Sequence, residues 1–149
     1  MNNFLYRVVV VWAGLAAFGA RSDQVVINEV MYNPRGDAPE WIELSNITAT
    51  PFDIAGWKLR GDVELDFPSF DGNRADEAFL GHWQKIILTN IDSGSFRQQY
   101  GIPSSVKVFG PWTGSLPNEG GRIVVRLSLI HISEPTRPLY ISYAVFCLK

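Results

Sequence analysis

The residues with most chemistry to offer sit in "PEWIELSN", Pro39 to Asn46, where Glu40 and Glu43 stand among Trp41, Ile42 and Leu44. Two carboxylates could divide general acid and base work, provided both reach the same bond. A strand sends successive side chains to opposite faces, so residues three apart leave on opposite sides. The spacing therefore predicts two structural carboxylates, one of them half-buried against a loop amide or an arginine. His82, in "LGHWQK", is the next candidate. Beside Trp83 at a loop-to-strand junction it reads as a turn residue. A serine triad would need it oriented by a carboxylate and presented to a serine. No nucleophile-elbow sequence accompanies it.

Two ligand readings remain. "GDVELDFPSFDGNRADE", Gly61 to Glu77, sets Asp71, Asn73, Asp76 and Glu77 in a glycine-bearing loop. Such oxygen donors suit a weak extracellular calcium site. The glycine falls in the wrong place for an EF-hand, and a solvated charged loop is the plainer account. "SNIT", Ser45 to Thr48, is a glycosylation sequon, with meaning only in a host that glycosylates secreted proteins. No residue is assigned as catalytic, cofactor-binding or metal-ligating. Neither enzyme activity nor a cofactor is expected.

The two ends of the chain need separate treatment. "MNNFLYRVVVVWAGLAAFGARSD" begins with a basic residue, Arg7, followed by an apolar run from Val8 to Phe18 and small residues at Ala17 and Gly19. That layout predicts a secretory signal peptide over residues 1–20, and so a secreted or cell-surface protein. A buried core helix or an uncleaved anchor is the alternative. At the other end, Leu127 to Arg137 resembles the translation of a transposase-type sequencing adapter. Ile141 to Leu148 resembles that of the flow-cell primer following it, with a barcode-sized gap at Pro138, Leu139 and Tyr140. Residues 127–149 are therefore expected to be a non-native tail on a fragment of a longer gene.

Residues 21–126 are then the expected domain, with ten basic and fourteen acidic residues and a formal net charge of −4. They contain no cysteine, because Cys147 lies in the tail, so packing and not disulfides must hold the domain together. His82 is their only histidine, which leaves too few nitrogen and sulfur donors for the usual zinc sets. The acidic balance and scattered basic residues, with Lys58 and Arg60 the only close pair, argue against nucleic acid.

Short apolar runs separated by Gly and Pro turns predict the elements that position all these residues. They are Gln24–Asn33, Glu40–Asn46, Pro51–Gly61 with a turn or bulge at Gly56, Val63–Phe70, Lys85–Asn90, Ser105–Gly110 and Gly120–Arg126. "KIILTN" reads as a strand buried on both faces. "DSGSFRQQYG", with a capping Asp92 and a closing Gly101, predicts one short helix near 92–100. The pattern gives an all-β antiparallel sandwich. Its core is expected at Ile27, Val30, Ile42, Leu44, Ile54, Trp57, Leu59, Phe67, Ile86, Leu88, Leu116, Ile123 and Val125.

"VVINEVMYNP", "PEWIELSNITATPFDIAGWKL", "LGHWQKIILTN", "FRQQYGI" and "GPWTGSLPNEGGRIVVR" resemble, in that order, the lamin-tail domain family of secreted bacterial proteins. The likeness spans about residues 24–126. It implies an immunoglobulin-like sandwich, no catalytic activity, and a role in binding a protein or cell-envelope partner or in architecture. It also implies an alternative, an N-terminal accessory domain of a larger secreted enzyme of the kinase-like spore-coat, nuclease or phosphatase kind. Two departures stand out: no Pro-Gly turn precedes the strand after His82, and the family continues beyond "GGRIVVR" with at least one more strand. The domain is therefore expected to lack its last strand or strands.

Overall fold

A computed structural model describes residues 9–10, 25–68, 79–126 and 140–147. Two five-stranded sheets make up the fold, with a two-stranded ribbon beside them. The first sheet runs β1 (Val9–Val10), β2 (Val25–Met31), β3 (Trp41–Asn46), β8 (Lys85–Thr89), β9 (Lys107–Phe109). The second runs β10 (Thr113–Gly114), β6 (Val63–Asp66), β5 (Lys58–Gly61), β11 (Gly120–Arg126), β12 (Tyr140–Cys147). The ribbon pairs β4 (Phe52–Asp53) with β7 (Phe79–Leu80).

Apolar rows cross the first sheet. Val30, Ile42 and Leu88 are opposite one another on adjacent strands, and so are Ile27, Leu44 and Ile86. Facing them from the second sheet are Leu59, Val63, Ile123 and Val125, all in one buried cluster. Every one of the thirteen core positions expected from the sequence is buried. Phe67 carries an aromatic link between the layers: it meets Phe109 of β9 at 5.5 Å, and Trp57 on its own side edge-on at 6.4 Å. Such pairs add to what area burial alone supplies.

β2 shows how local geometry overrides simple alternation. Its register shifts between Ile27 and Glu29, where a bulge inserts one extra residue. Both Ile27 and Val30 consequently face the core, although they are three apart, while Asn28 and Glu29 are only half-buried. β8 departs from its expectation. Ile86 and Leu88 are buried, but Lys85 is exposed and Ile87 only partly covered, so the strand is packed on one face. The run of apolar letters concealed that asymmetry.

The helix α1 (Ser93–Tyr100) forms where Asp92 accepts the Ser95 amide at 2.9 Å and Gly101 closes the last turn with φ 62°. Serine, aspartate and glycine are suited to those ends. Phe96 is its buried anchor, stacked on Tyr100 at 4.6 Å. By carrying the chain back across the sandwich, the helix lets β9 pair with β8 in parallel. That parallel pair is a local exception to the antiparallel plan. β11, expected to be the final strand of the domain, has β12 on its outer side.

Candidate site: two separated glutamates and an exposed aromatic end

The glutamates part company as strand geometry requires. Glu40, at the head of β3, accepts the Leu116 amide through Oε2 at 3.1 Å. Burial pushes its carboxyl above the usual range, and the Leu116 amide pulls it back in part. Glu43 lies on the other face, where Oε1 accepts the Asn28 amide nitrogen at 2.6 Å and pairs with Lys85 at 2.8 Å. Glu29 stands directly across the ladder from Glu43. Its carboxyl is pushed up by burial first and by the Glu43 charge second, with Lys85 opposing. His82 is exposed in the turn before β8. Glu40 and Glu43 are thus held by different partners on opposite faces, and His82 stands apart from both in an exposed turn.

Asn46 organises the neighbouring end of the sandwich. It is completely buried, and its side-chain nitrogen donates to the carbonyls of Thr50 at 2.7 Å, Leu80 at 3.3 Å and Gly81 at 2.8 Å. Its Oδ1 accepts the Thr48 amide at 2.9 Å and the Thr48 hydroxyl at 2.8 Å. The sequon is thus spent internally. Asparagine and threonine two apart form a local turn, and the nitrogen a glycan would occupy is already surrounded by carbonyls.

Two loops are clamped by this hub. The Asn46 amide donates to the Gln84 carbonyl at 2.9 Å, and the Trp83 amide to the Thr48 carbonyl at 3.3 Å, so Ile47 lies between the two bonds. Gln84 closes the turn by accepting the Gly81 amide at 2.8 Å. Trp83 adopts a left-handed backbone with φ 55° and is 65% exposed. A tryptophan in that region is uncommon, and such strain persists only where the surroundings impose it. Ile47 and Phe79 are also exposed, each at 44%. Three of the four exposed large hydrophobic residues among those described therefore gather around the Asn46 hub. None of residues 46–51 or 79–84 carries a formal charge, with His82 neutral.

Sequence reasoning placed His82 and Trp83 in a turn but did not single out Trp83 or Ile47. The available signal was a bulky aromatic in "GHWQ", outside the apolar alternation. Of the acidic loop, Asp71, Asn73, Asp76 and Glu77 lie outside the described residues. So does the expected signal segment, apart from Val9 and Val10. Among the described residues, no helix is long and apolar enough to cross a membrane.

These motifs and this sandwich converge with a comparison against known families, in which the Lamin Tail Domain matches residues 19–123. The chain belongs to that family. Its Glu-Trp-Ile-Glu-Leu strand is β3, its Gly-Trp turn leads into β5, and its Gly-Ser-Leu stretch carries the Leu116 amide that holds Glu40. A comparison with curated proteins returned no match. The lamin-tail domain is an immunoglobulin-like β-sandwich that serves as a protein-interaction module, without catalysis of its own.

Proposed function

We propose that this lamin-tail domain works as a non-catalytic secreted or cell-surface module, binding a protein or cell-envelope partner through the sandwich end that carries Trp83, Ile47 and Phe79. The observation that carries the reading is Trp83, exposed and fixed in an uncommon backbone conformation over a buried polar hub. Exposed apolar groups gathered on a rigid support are the usual mark of a contact surface, and tryptophan is among the side chains that dominate binding energy. The signal-like residues 1–20 support export.

Co-sedimentation of the purified full chain with isolated cell-envelope fragments tests the reading. The parent chain should pellet saturably, and Trp83→Ala should weaken the association at least tenfold, about 1.4 kcal/mol. A parent chain that stays in the supernatant with envelope fragments and envelope protein extracts alike would overturn it. A second reading makes the domain an N-terminal accessory part of a larger secreted enzyme of the kinase-like spore-coat, nuclease or phosphatase kind. The uninterrupted genomic reading frame decides that question: a catalytic domain downstream of Arg126 supports the accessory role, and a frame closing after one or two strands removes it.

A further inference from the structure

The tripeptide Arg-Gly-Asp occurs twice in the chain, at residues 35–37 and 60–62. The fold treats the two copies in opposite ways. The second lies where β5 passes into β6 and is consumed there. Arg60 pairs with Asp66 and donates to the Leu59 carbonyl at 2.7 Å. Asp62 accepts the Arg122 amide through its carboxylate, and its own amide donates to the Arg122 carbonyl at 3.0 Å. Gly61, with φ 126°, presses so closely on that carbonyl that a Cβ would overlap it. All three residues fasten this corner to β11.

The first copy is displayed instead. It lies between β2 and β3, where Arg35, Gly36 and Asp37 are all exposed. The Ala38 amide donates to the Arg35 carbonyl at 3.2 Å, closing a β-turn with Gly36 and Asp37 at its tip. Gly36 takes φ 58°, a conformation that glycine enters freely. A Cβ on Gly36 would meet nothing within 4 Å, so the demand is conformational and the surroundings are open. Among the described residues, no hydrogen bond or ion pair engages the Asp37 carboxylate. The base of the turn is firm. Tyr32 and Pro39 on its two legs are buried, and Pro34 stiffens the approach to Arg35.

We propose that the turn at residues 35–37 is an adhesion site, recognised by a receptor protein that presents a bound divalent cation beside a carboxylate. The Asp37 carboxylate supplies an oxygen to that cation, which takes hard oxygen donors. The Arg35 guanidinium pairs with the receptor's carboxylate through its planar fork. Gly36 keeps the turn sharp and puts no side chain between the two contacts. A cation is the fitting partner for Asp37 because an exposed ion pair with a lysine or arginine contributes little. Firm presentation lowers the ordering cost of binding. In the cell the site rests on export, the part of the preceding reading that residues 1–20 support. It shares no residue with the Trp83 surface, so either can fail without the other.

The test immobilises the purified ectodomain of a metal-dependent adhesion receptor that binds Arg-Gly-Asp peptides, and passes the full chain over it in magnesium and manganese buffer. The parent chain should bind saturably, lose binding on chelation, and be displaced by a soluble Gly-Arg-Gly-Asp-Ser peptide but not by its Gly-Arg-Gly-Glu-Ser counterpart. Asp37→Glu keeps the charge but moves the carboxylate by one methylene, and should weaken binding at least about tenfold. Asp37→Asn should do the same, and thermal melts confirm that both variants remain folded. Arg60→Gln, in the copy held by the sheet, should leave binding unchanged, as should Trp83→Ala. A parent chain that does not bind overturns the proposal. So does binding that survives chelation or Asp37→Glu, or that falls with Trp83→Ala.

Discussion

Glu40 Oε2 and the Leu116 amide, 76 residues apart in sequence, meet at 3.1 Å. The contact ties the head of β3 to the loop that leads into β11. The Glu40 carbonyl adds two more ties, accepting the Asn90 amide at 3.3 Å and the Thr89 hydroxyl at 3.0 Å. Glu40→Ala leaves the Leu116 amide without its acceptor and should cost about 1–3 kcal/mol. Glu40→Gln keeps an oxygen in place without a half-buried charge and should cost less than alanine at neutral pH. Urea midpoints at constant m-value check this. Equal losses in the two variants would mean that the charge, and not the acceptor, matters.

The Glu29 carboxyl gives a pH dependence of definite sign. Its folded value is raised above 4.5, so the folded chain holds that proton more tightly than the unfolded chain does. The associated stability is full below the unfolded value and is lost as pH rises through the raised folded value. Lys85 and Asn28 both engage Glu43 and leave Glu29 facing that charge. Glu29→Gln should therefore melt higher than the parent at neutral pH, with the gap closing as pH falls to 4.5 and below. Thermal melts across that range test the account, and a gap independent of pH would refute it.

Much of this was legible because the core-facing strands repeat every second residue, and Ile42, Leu44, Ile86 and Leu88 follow that rule without interruption. The separation of Glu40 from Glu43 followed from the same period. Other features had no such signal. The bulge in β2 changes which residues face inward without changing the letters, and two-residue strands such as β7 and β10 are shorter than any period. The parallel pairing of β9 depends on where α1 returns the chain. Trp83 escaped notice because its exposure comes from a turn held by Thr48 and Asn46, residues that read as a sequon.

Core truncation should be severe and graded by site. Leu44 is fully buried between Ile27 and Ile86 on the neighbouring strands. Leu44→Ala should cost roughly 2–5 kcal/mol, a large part of a small domain's stability. Ile87→Ala, on the half-covered face of the next strand, should cost less. Guanidinium unfolding of both variants checks the order, and a reversed order would mean the outer face is the better packed.

Asn46 should tolerate neither substitution nor modification. Asn46→Ala leaves the carbonyls of Thr50, Leu80 and Gly81 without their shared donor, a loss of roughly 3 kcal/mol. Asn46→Asp is expected to be worse, because it turns a carboxylate oxygen toward carbonyl oxygens. In a host that glycosylates secreted proteins, the folded fraction should carry no glycan at this position. Intact-mass measurement of the folded fraction reads that directly, and a fully glycosylated, stable product would contradict the buried hub.

Trp83 separates binding from stability more cleanly than any other position. Its φ of 55° is one that glycine adopts freely and tryptophan does not. Trp83→Gly should relieve strain of about 1 kcal/mol and melt at or above the parent temperature. Trp83→Ala keeps the unfavourable conformation and should gain nothing. Both variants lose the exposed ring, so both should lose envelope association to a similar degree. Melting temperature and co-sedimentation on the same preparations give the two readouts. If Trp83→Gly lowered stability by as much as a core truncation, the ring would be a packing element and the contact-surface reading would fail.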